Sequence, residues 1–179
     1  MGQKLGKCYP PQFEIIPLLL VVLTFYITLS NYSVLPDTIP IDFNSEGVAD
    51  DWANKNMIFL FPGLAAFSYI FFTFINIWFA VTKHPKALMN LPAKRKANLS
   101  DSQTEELRVV LNRYLFILKV LVEGLSVYIL YSVIEVALGR ANNLGVPFTL
   151  LIAATILVTV GLMVWKSFRI TRVPNSTQK

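Results

Sequence analysis

Four uninterrupted apolar runs constrain this chain more than any other feature. They extend roughly from Ile15 to Leu35, Met57 to Val81, Tyr114 to Leu138 and Pro147 to Trp165, each near the ~20 residues that a helix needs to cross a bilayer. Backbone amides in hydrocarbon have no water to bond, so segments of this kind must be helices. A membrane β-barrel would show short alternating stretches instead. The composition agrees: 54% of the 179 residues are hydrophobic and only 15% are charged, where an ordinary soluble domain has about 25% charged residues. The first run lacks a small-x-small cleavage pattern and is read as retained. The expected fold is all-α, an integral membrane bundle of four transmembrane helices.

Charge placement predicts the orientation. Lys4 and Lys7 precede the first run, Lys83, Lys86, Lys94, Arg95, Lys96, Arg108 and Arg113 lie between the second and third, and Lys166, Arg169, Arg172 and Lys179 follow the fourth. The other two loops hold only Lys55 and Arg140. Basic residues stay cytoplasmic, so both termini and the central loop are expected inside. The net charge of +5 then reflects topology, with the basic clusters touching anionic lipid. No nucleic-acid-binding module accompanies them, and no nucleic acid is expected as a partner.

The chain divides into a cytoplasmic N-terminus (1–14), a two-span unit (15–81) with an outer loop (36–56), a basic inner loop and helix start (82–113), a second pair of spans (114–165) and a tail (166–179). The inner loop carries Pro85 and Pro92 and reads as irregular. Ser102-Gln103-Thr104-Glu105 has the form of a capping box, from which a helix is expected to run unbroken into the third span. Pro62 implies a kink or a looser first turn, and Pro147 suits the first turn of the last helix. In the aromatic-rich second span, Tyr69, Thr73 and Asn76 share one face, which should meet another helix.

The outer loop is the acidic face of the molecule, with Asp37, Asp42, Glu46, Asp50 and Asp51 against one Lys55. Pro36 and Pro40 keep its first arm extended, Asn44 to Gly47 supplies a turn, and Trp52 is expected to bury its ring as an anchor while the carboxylates stay exposed. Leu35-Pro36, Ile39-Pro40, Phe43-Asn44, Gly47, Asp50, Trp52 and Lys55, followed by Pro62, resemble a bacterial and archaeal membrane domain, number 1648 among the domains of unknown function. That domain also stands at the start of SdpI-like toxin-immunity and signalling proteins. The resemblance covers roughly Ile15 to Val81. It implies a cell-membrane protein of a bacterium or archaeon, with Asp42, Asn44, Gly47, Asp50, Trp52 and Lys55 as ligand- or partner-binding residues. Asp42 stands where the family usually has His.

Within the third run, Glu105, Arg108, Asn112, Lys119, Glu123 and Ser126 fall within about 40° of one line at ~100° per residue. Ionisable groups in a span cost at least about 2.5–3.5 kcal/mol each, which makes Lys119 and Glu123, with Asn76 of the second span, the intramembrane candidates. Four residues apart, Lys119 and Glu123 are expected to pair with each other; an ion or proton path, or a partner-binding face, is the other reading of this stripe. Glu135 is expected in the headgroup region. The lone His84 and the lone Cys8 cannot assemble a metal site. Without a phosphate loop, nucleophile elbow or zinc-protease motif, nothing points to an enzyme or a cofactor. Three roles remain open: a sensor or immunity-type protein with an outer recognition loop, an accessory subunit of a larger membrane complex, and a small oligomeric transporter. The expected partners are membrane lipid and either another membrane protein or further copies of the chain.

Overall fold

The computed structural model describes residues 11–89 and 93–172. The readings placed on Lys4, Lys7, Cys8, Pro92 and the tail from Pro174 to Lys179 lie outside these residues. A 3-10 turn, Pro11–Glu14, leads into α1 (Ile15–Asn31). A β-hairpin follows, β1 (Thr38–Phe43) and β2 (Ala49–Asn54), then a second 3-10 turn (Lys55–Phe59) and α2 (Leu60–Val81). The short helices α3 (Pro85–Leu88) and α4 (Ala93–Ala97) precede two long ones, α5 (Asp101–Ala137) and α6 (Val146–Arg172). Among the described residues, four helices are long and apolar enough to cross a membrane, and the structure is mostly helical, as expected.

The chain is not all-α. The acidic loop forms an antiparallel two-stranded sheet, because its extended Pro-restricted arm finds a partner strand across a tight turn. Asn44 makes that turn: its side-chain oxygen accepts from the backbone N–H groups of Glu46 (2.9 Å) and Val48 (3.0 Å). Gly47 adopts φ 75°, a conformation that favours glycine.

Helix α5 is the spine. Its 37 residues make it roughly 55 Å long at about 1.5 Å per residue, and it packs against α1, α2, α6 and β1. Its start is set two residues earlier than expected. Ser100, not Ser102, is the N-cap: its hydroxyl accepts from the Gln103 N–H (3.1 Å) while the Gln103 side chain accepts from the Ser100 N–H (3.1 Å). The sequence offers two overlapping boxes, and the one whose third residue is Gln103 wins because Gln103 also donates to the Ile170 carbonyl of α6 (3.1 Å). Losing a cap costs about 0.5–2 kcal/mol. Ser100→Ala should therefore lower thermal stability in detergent, whereas Ser102→Ala leaves it unchanged; equal effects would refute the cap assignment.

The central loop is less irregular than expected, since Pro85 starts α3 and α4 follows. Neither Pro62 nor Pro147 interrupts a helix, because both stand in first turns.

Apolar clusters close both ends of the bundle. At the hairpin end, Leu35, Ile39, Ile58, Leu130, Val133 and Ile134 are buried together. At the opposite end, Phe79, Met89, Leu99, Leu107, Val110 and Ile170 form a second cluster. Between them α2 turns its polar face inward and an aromatic stripe outward: Phe67, Phe71, Phe74 and Trp78 are all exposed. Helix α6 is covered least, with Thr159 and Ile170 its buried residues among those described.

Candidate functional site

Two constellations combine unusual chemistry with a defined geometry. The first is the hairpin surface. Ile39 points inward and is fully buried, and its cross-strand partner Ala53 shares that side. One residue on, the alternation of a strand turns Trp52 outward opposite Pro40. Trp52 is therefore not the expected anchor: it is 50% exposed, and Leu35, Ile39 and Ile58 hold the hairpin instead. A register displaced by one residue would have buried Trp52, but the turn at Asn44–Gly47 and irregularities beside Asp42 fix it otherwise.

The base of the hairpin is latched. The Lys55 ammonium lies 3.4 Å from the Asp37 carboxylate and 5.5 Å from the Tyr32 ring centre, the Lys55 N–H donates to the Asp37 carbonyl (2.9 Å), and the Tyr32 hydroxyl bonds to the Asn56 side chain. The turn is tied down as well, since the Leu144 N–H of the α5–α6 connection donates to the Gly47 carbonyl (2.9 Å). Three of the expected binding residues, Asn44, Gly47 and Lys55, thus shape the hairpin. The others, Asp42, Asp50 and Trp52, stand on its exposed surface together with Glu46 and Asp51. Asp42 and Asp51 face each other across the strands, an arrangement of like charges that disfavours the sheet. Each relieves part of that by accepting from the next backbone N–H, Phe43 and Trp52 respectively (both 2.8 Å).

The second constellation is a buried polar seam along α5. At one end, the Arg108 guanidinium donates to the carbonyls of Ala80 (3.1 Å) and Thr82 (2.9 Å), closing the C-terminus of α2 where a cation also meets the negative end of the helix dipole. One turn along, the Asn76 amide donates to the Asn112 side chain (3.0 Å). Then comes Lys119, fully buried. Its ion partner is Glu14, not Glu123. The ammonium also donates to the Thr73 hydroxyl (3.1 Å), which reaches Glu14 in turn (3.3 Å), and it faces the ring of Tyr69 at 5.3 Å. Glu123, equally buried, meets the Ser68 hydroxyl of α2 at 2.6 Å. Ser126 ends the stripe by donating to the Val122 carbonyl of its own helix (3.0 Å).

The expected pairing of Lys119 with Glu123 fails for a geometric reason. Residues four apart on a helix meet only if both side chains stay on its surface, and here Lys119 turns to Glu14 and Thr73 while Glu123 turns to Ser68, farther along α2. Sequence reading missed Glu14 and Ser68 altogether. Glu14 carries a signal, as the acidic residue directly before the first apolar run, but it falls in the stretch read as the cytoplasmic N-terminus. The inward face of Tyr69, Thr73 and Asn76 is as expected. Glu135 pairs with Arg140 at 3.4 Å near the hairpin end. His84 lines an open pocket of about 670 Å³ at the other end, with Lys83, Lys86, Asp101, Glu105 and Arg108 among its walls.

The order of a hydrophobic helix, a Pro-Pro-restricted arm, the Asn-Gly turn, the lysine latch and a proline opening the next helix is the one that the resemblance rested on. Residues 19–66 match the domain of unknown function DUF1648. The DUF1648 match covers most of α1, the hairpin and the first turns of α2, so it accounts for the hairpin surface and ends before α5 begins. Of the DUF1648-like positions, Leu35 and Ile39 build the core under the hairpin, Asn44, Gly47 and Lys55 set its shape, and Pro62 opens α2. No curated protein and no solved structure matches the chain.

Proposed function

We propose that the chain is a multi-pass protein of a bacterial or archaeal cell membrane, a sensor or immunity-type protein whose hairpin is a recognition platform on the outer side. The observation that carries this reading is the division of labour in the hairpin: its shape is held by Leu35, Ile39, Asn44, Gly47 and Lys55, while Asp42, Glu46, Asp50, Asp51 and Trp52 stand exposed. A surface that is acidic, aromatic and fixed to the bundle at both base and turn suits a cationic peptide or protein segment. Electrostatic attraction steers such a ligand, and Trp52 offers a face for its cations.

The orientation rests on the concentration of Lys and Arg at the end opposite the hairpin. In a variant lacking Cys8, single substitutions Asp50→Cys, Arg95→Cys and Thr177→Cys can be probed on intact cells with an impermeant thiol reagent. Label at position 50 and none at 95 or 177 is the expected result, and the reverse pattern overturns the orientation. Function is tested with a lysine-rich amphipathic peptide as probe. The combined variant Asp42→Asn, Asp50→Asn, Asp51→Asn should bind it about tenfold more weakly, equivalent to ~1.4 kcal/mol, and the binding of the parent protein should fall with rising salt. Equal binding by both proteins would remove the platform reading.

The accessory-subunit reading draws on a different feature, an apolar groove of about 440 Å³ between α1, α5 and α6 that Ile27, Leu121, Gly124, Tyr131 and Ile152 line. It would seat a helix of a partner protein, and Gly124→Leu, which fills it, would release a stoichiometric partner during gentle purification.

A further inference from the structure

We propose that Glu123 is a proton-binding site inside the bundle, holding one proton as a carboxylic acid that donates to Ser68 while α2 and α5 are closed on each other. The argument is a count of hydrogens. The Ser68 hydroxyl has one hydrogen and two acceptors in reach, the Ala65 carbonyl at 3.0 Å and Glu123 Oε1 at 2.6 Å. With a proton on Oε1, Glu123 donates to Ser68 Oγ, Ser68 donates on to Ala65, and every hydrogen has an acceptor. Without it, a carboxylate with about four lone-pair sites holds a single hydroxyl hydrogen, while Oε2 is buried with no hydrogen-bond partner.

The surrounding charges point the same way. Glu123 is fully buried. Lys119 lies one turn back on the same helix, but its ammonium is ion-paired with Glu14 from the turn before α1. Those two groups cancel, so an ionised Glu123 would be the odd charge of the seam. From α2 the facing groups are Ser68, Tyr69 and Thr73, all neutral. The cations of α6, Lys166, Arg169 and Arg172, lie in its last two turns, at the far end of the bundle. A buried carboxyl with no dedicated counter-charge takes up a proton rather than stay charged in a low dielectric. The proton comes from solvent as the two helices enclose Glu123, and returns there if they part. The site thus ties proton uptake to the packing of α2 on α5, and it stands whether or not the hairpin binds a cationic ligand.

Infrared spectroscopy of the full chain in lipid at neutral pH tests this, because a protonated carboxylic acid has a carbonyl stretch that a carboxylate lacks. The parent protein should show such a band. It should shift when glutamate is supplied with a ¹³C-labelled side-chain carboxyl, vanish in Glu123→Gln and be displaced in frequency by Ser68→Ala, which removes the acceptor. Glutamine copies the neutral acid in shape, and if that variant nonetheless fails to fold, the isotope shift in the parent and the Ser68→Ala displacement decide alone. A parent protein with no glutamyl acid band, or a band that neither variant alters, overturns the proposal. So does a carboxylate band at this site that responds to exchanging sodium for potassium, which would make it a metal-cation site.

Discussion

Replacing Lys119 by methionine is expected to be the most destabilising single change in the bundle. It strands the Glu14 carboxylate, whose side chain is only 16% exposed, and breaking a buried ion pair by removing one partner costs about 3–5 kcal/mol. Side-chain hydrogen bonds between membrane helices average only about 0.6 kcal/mol, so Asn76→Leu at the neighbouring rung should be felt far less. The double variant Lys119→Met, Glu14→Gln removes both charges and should recover much of the loss, giving a coupling of about 1–3 kcal/mol. A cycle of Lys119 with Glu123 should couple more weakly, since the ion pair of Lys119 is with Glu14. Equilibrium unfolding in mild detergent or bicelles measures all of these; additive losses for Lys119 and Glu14 would show that the ion pair contributes nothing.

The second large effect concerns the hairpin. Ile39→Ala opens a cavity under β1 among Leu35, Ile58, Leu130, Val133 and Ile134, and truncations of this kind cost about 2–5 kcal/mol. That exceeds what a two-stranded hairpin, marginal in isolation, can absorb. It should undock while the helices remain folded, and an added protease should cut between residues 44 and 48 much faster than in the parent protein. Trp52→Ala, at a half-exposed position, should leave the cutting rate near that of the parent. If Trp52→Ala opened the hairpin and Ile39→Ala did not, the inward face would be assigned to the wrong side of the sheet.

Run length and polarity made the four helices legible, because apolar stretches of that size have few alternatives. The polar stripe on α5 was equally legible, since Glu105 through Ser126 recur at helical spacing. What the stripe touches was not. Glu14 and Lys119 are 105 residues apart, and spacing along a single helix carries no information about a partner on another. The hairpin fell between these cases. Its turn and extended arm were visible in Asn44–Gly47 and the prolines, but which face would be buried depended on one residue of register, and bulk alone favoured Trp52 over Ile39. The cap of α5 that forms is also tied through Gln103 to Ile170, far along the chain, which the local spacing does not reveal.

The distance between Glu14 and Lys119 along the chain also has a temporal side. A ribosome adds about 5–20 residues per second, so Glu14 is complete on the order of 5–20 s before the residue that neutralises it. During that interval the first two apolar helices already exist, and α1 cannot settle at its final depth without dragging an unmatched carboxylate out of water. The arrival of α5 ends the wait. It supplies Lys119 to Glu14, Leu130 and its neighbours to the hairpin, and a surface for α6. The order of synthesis therefore makes α5 a checkpoint in biogenesis: a chain arrested before it would hold two helices, an undocked hairpin and a Glu14 without its Lys119 partner.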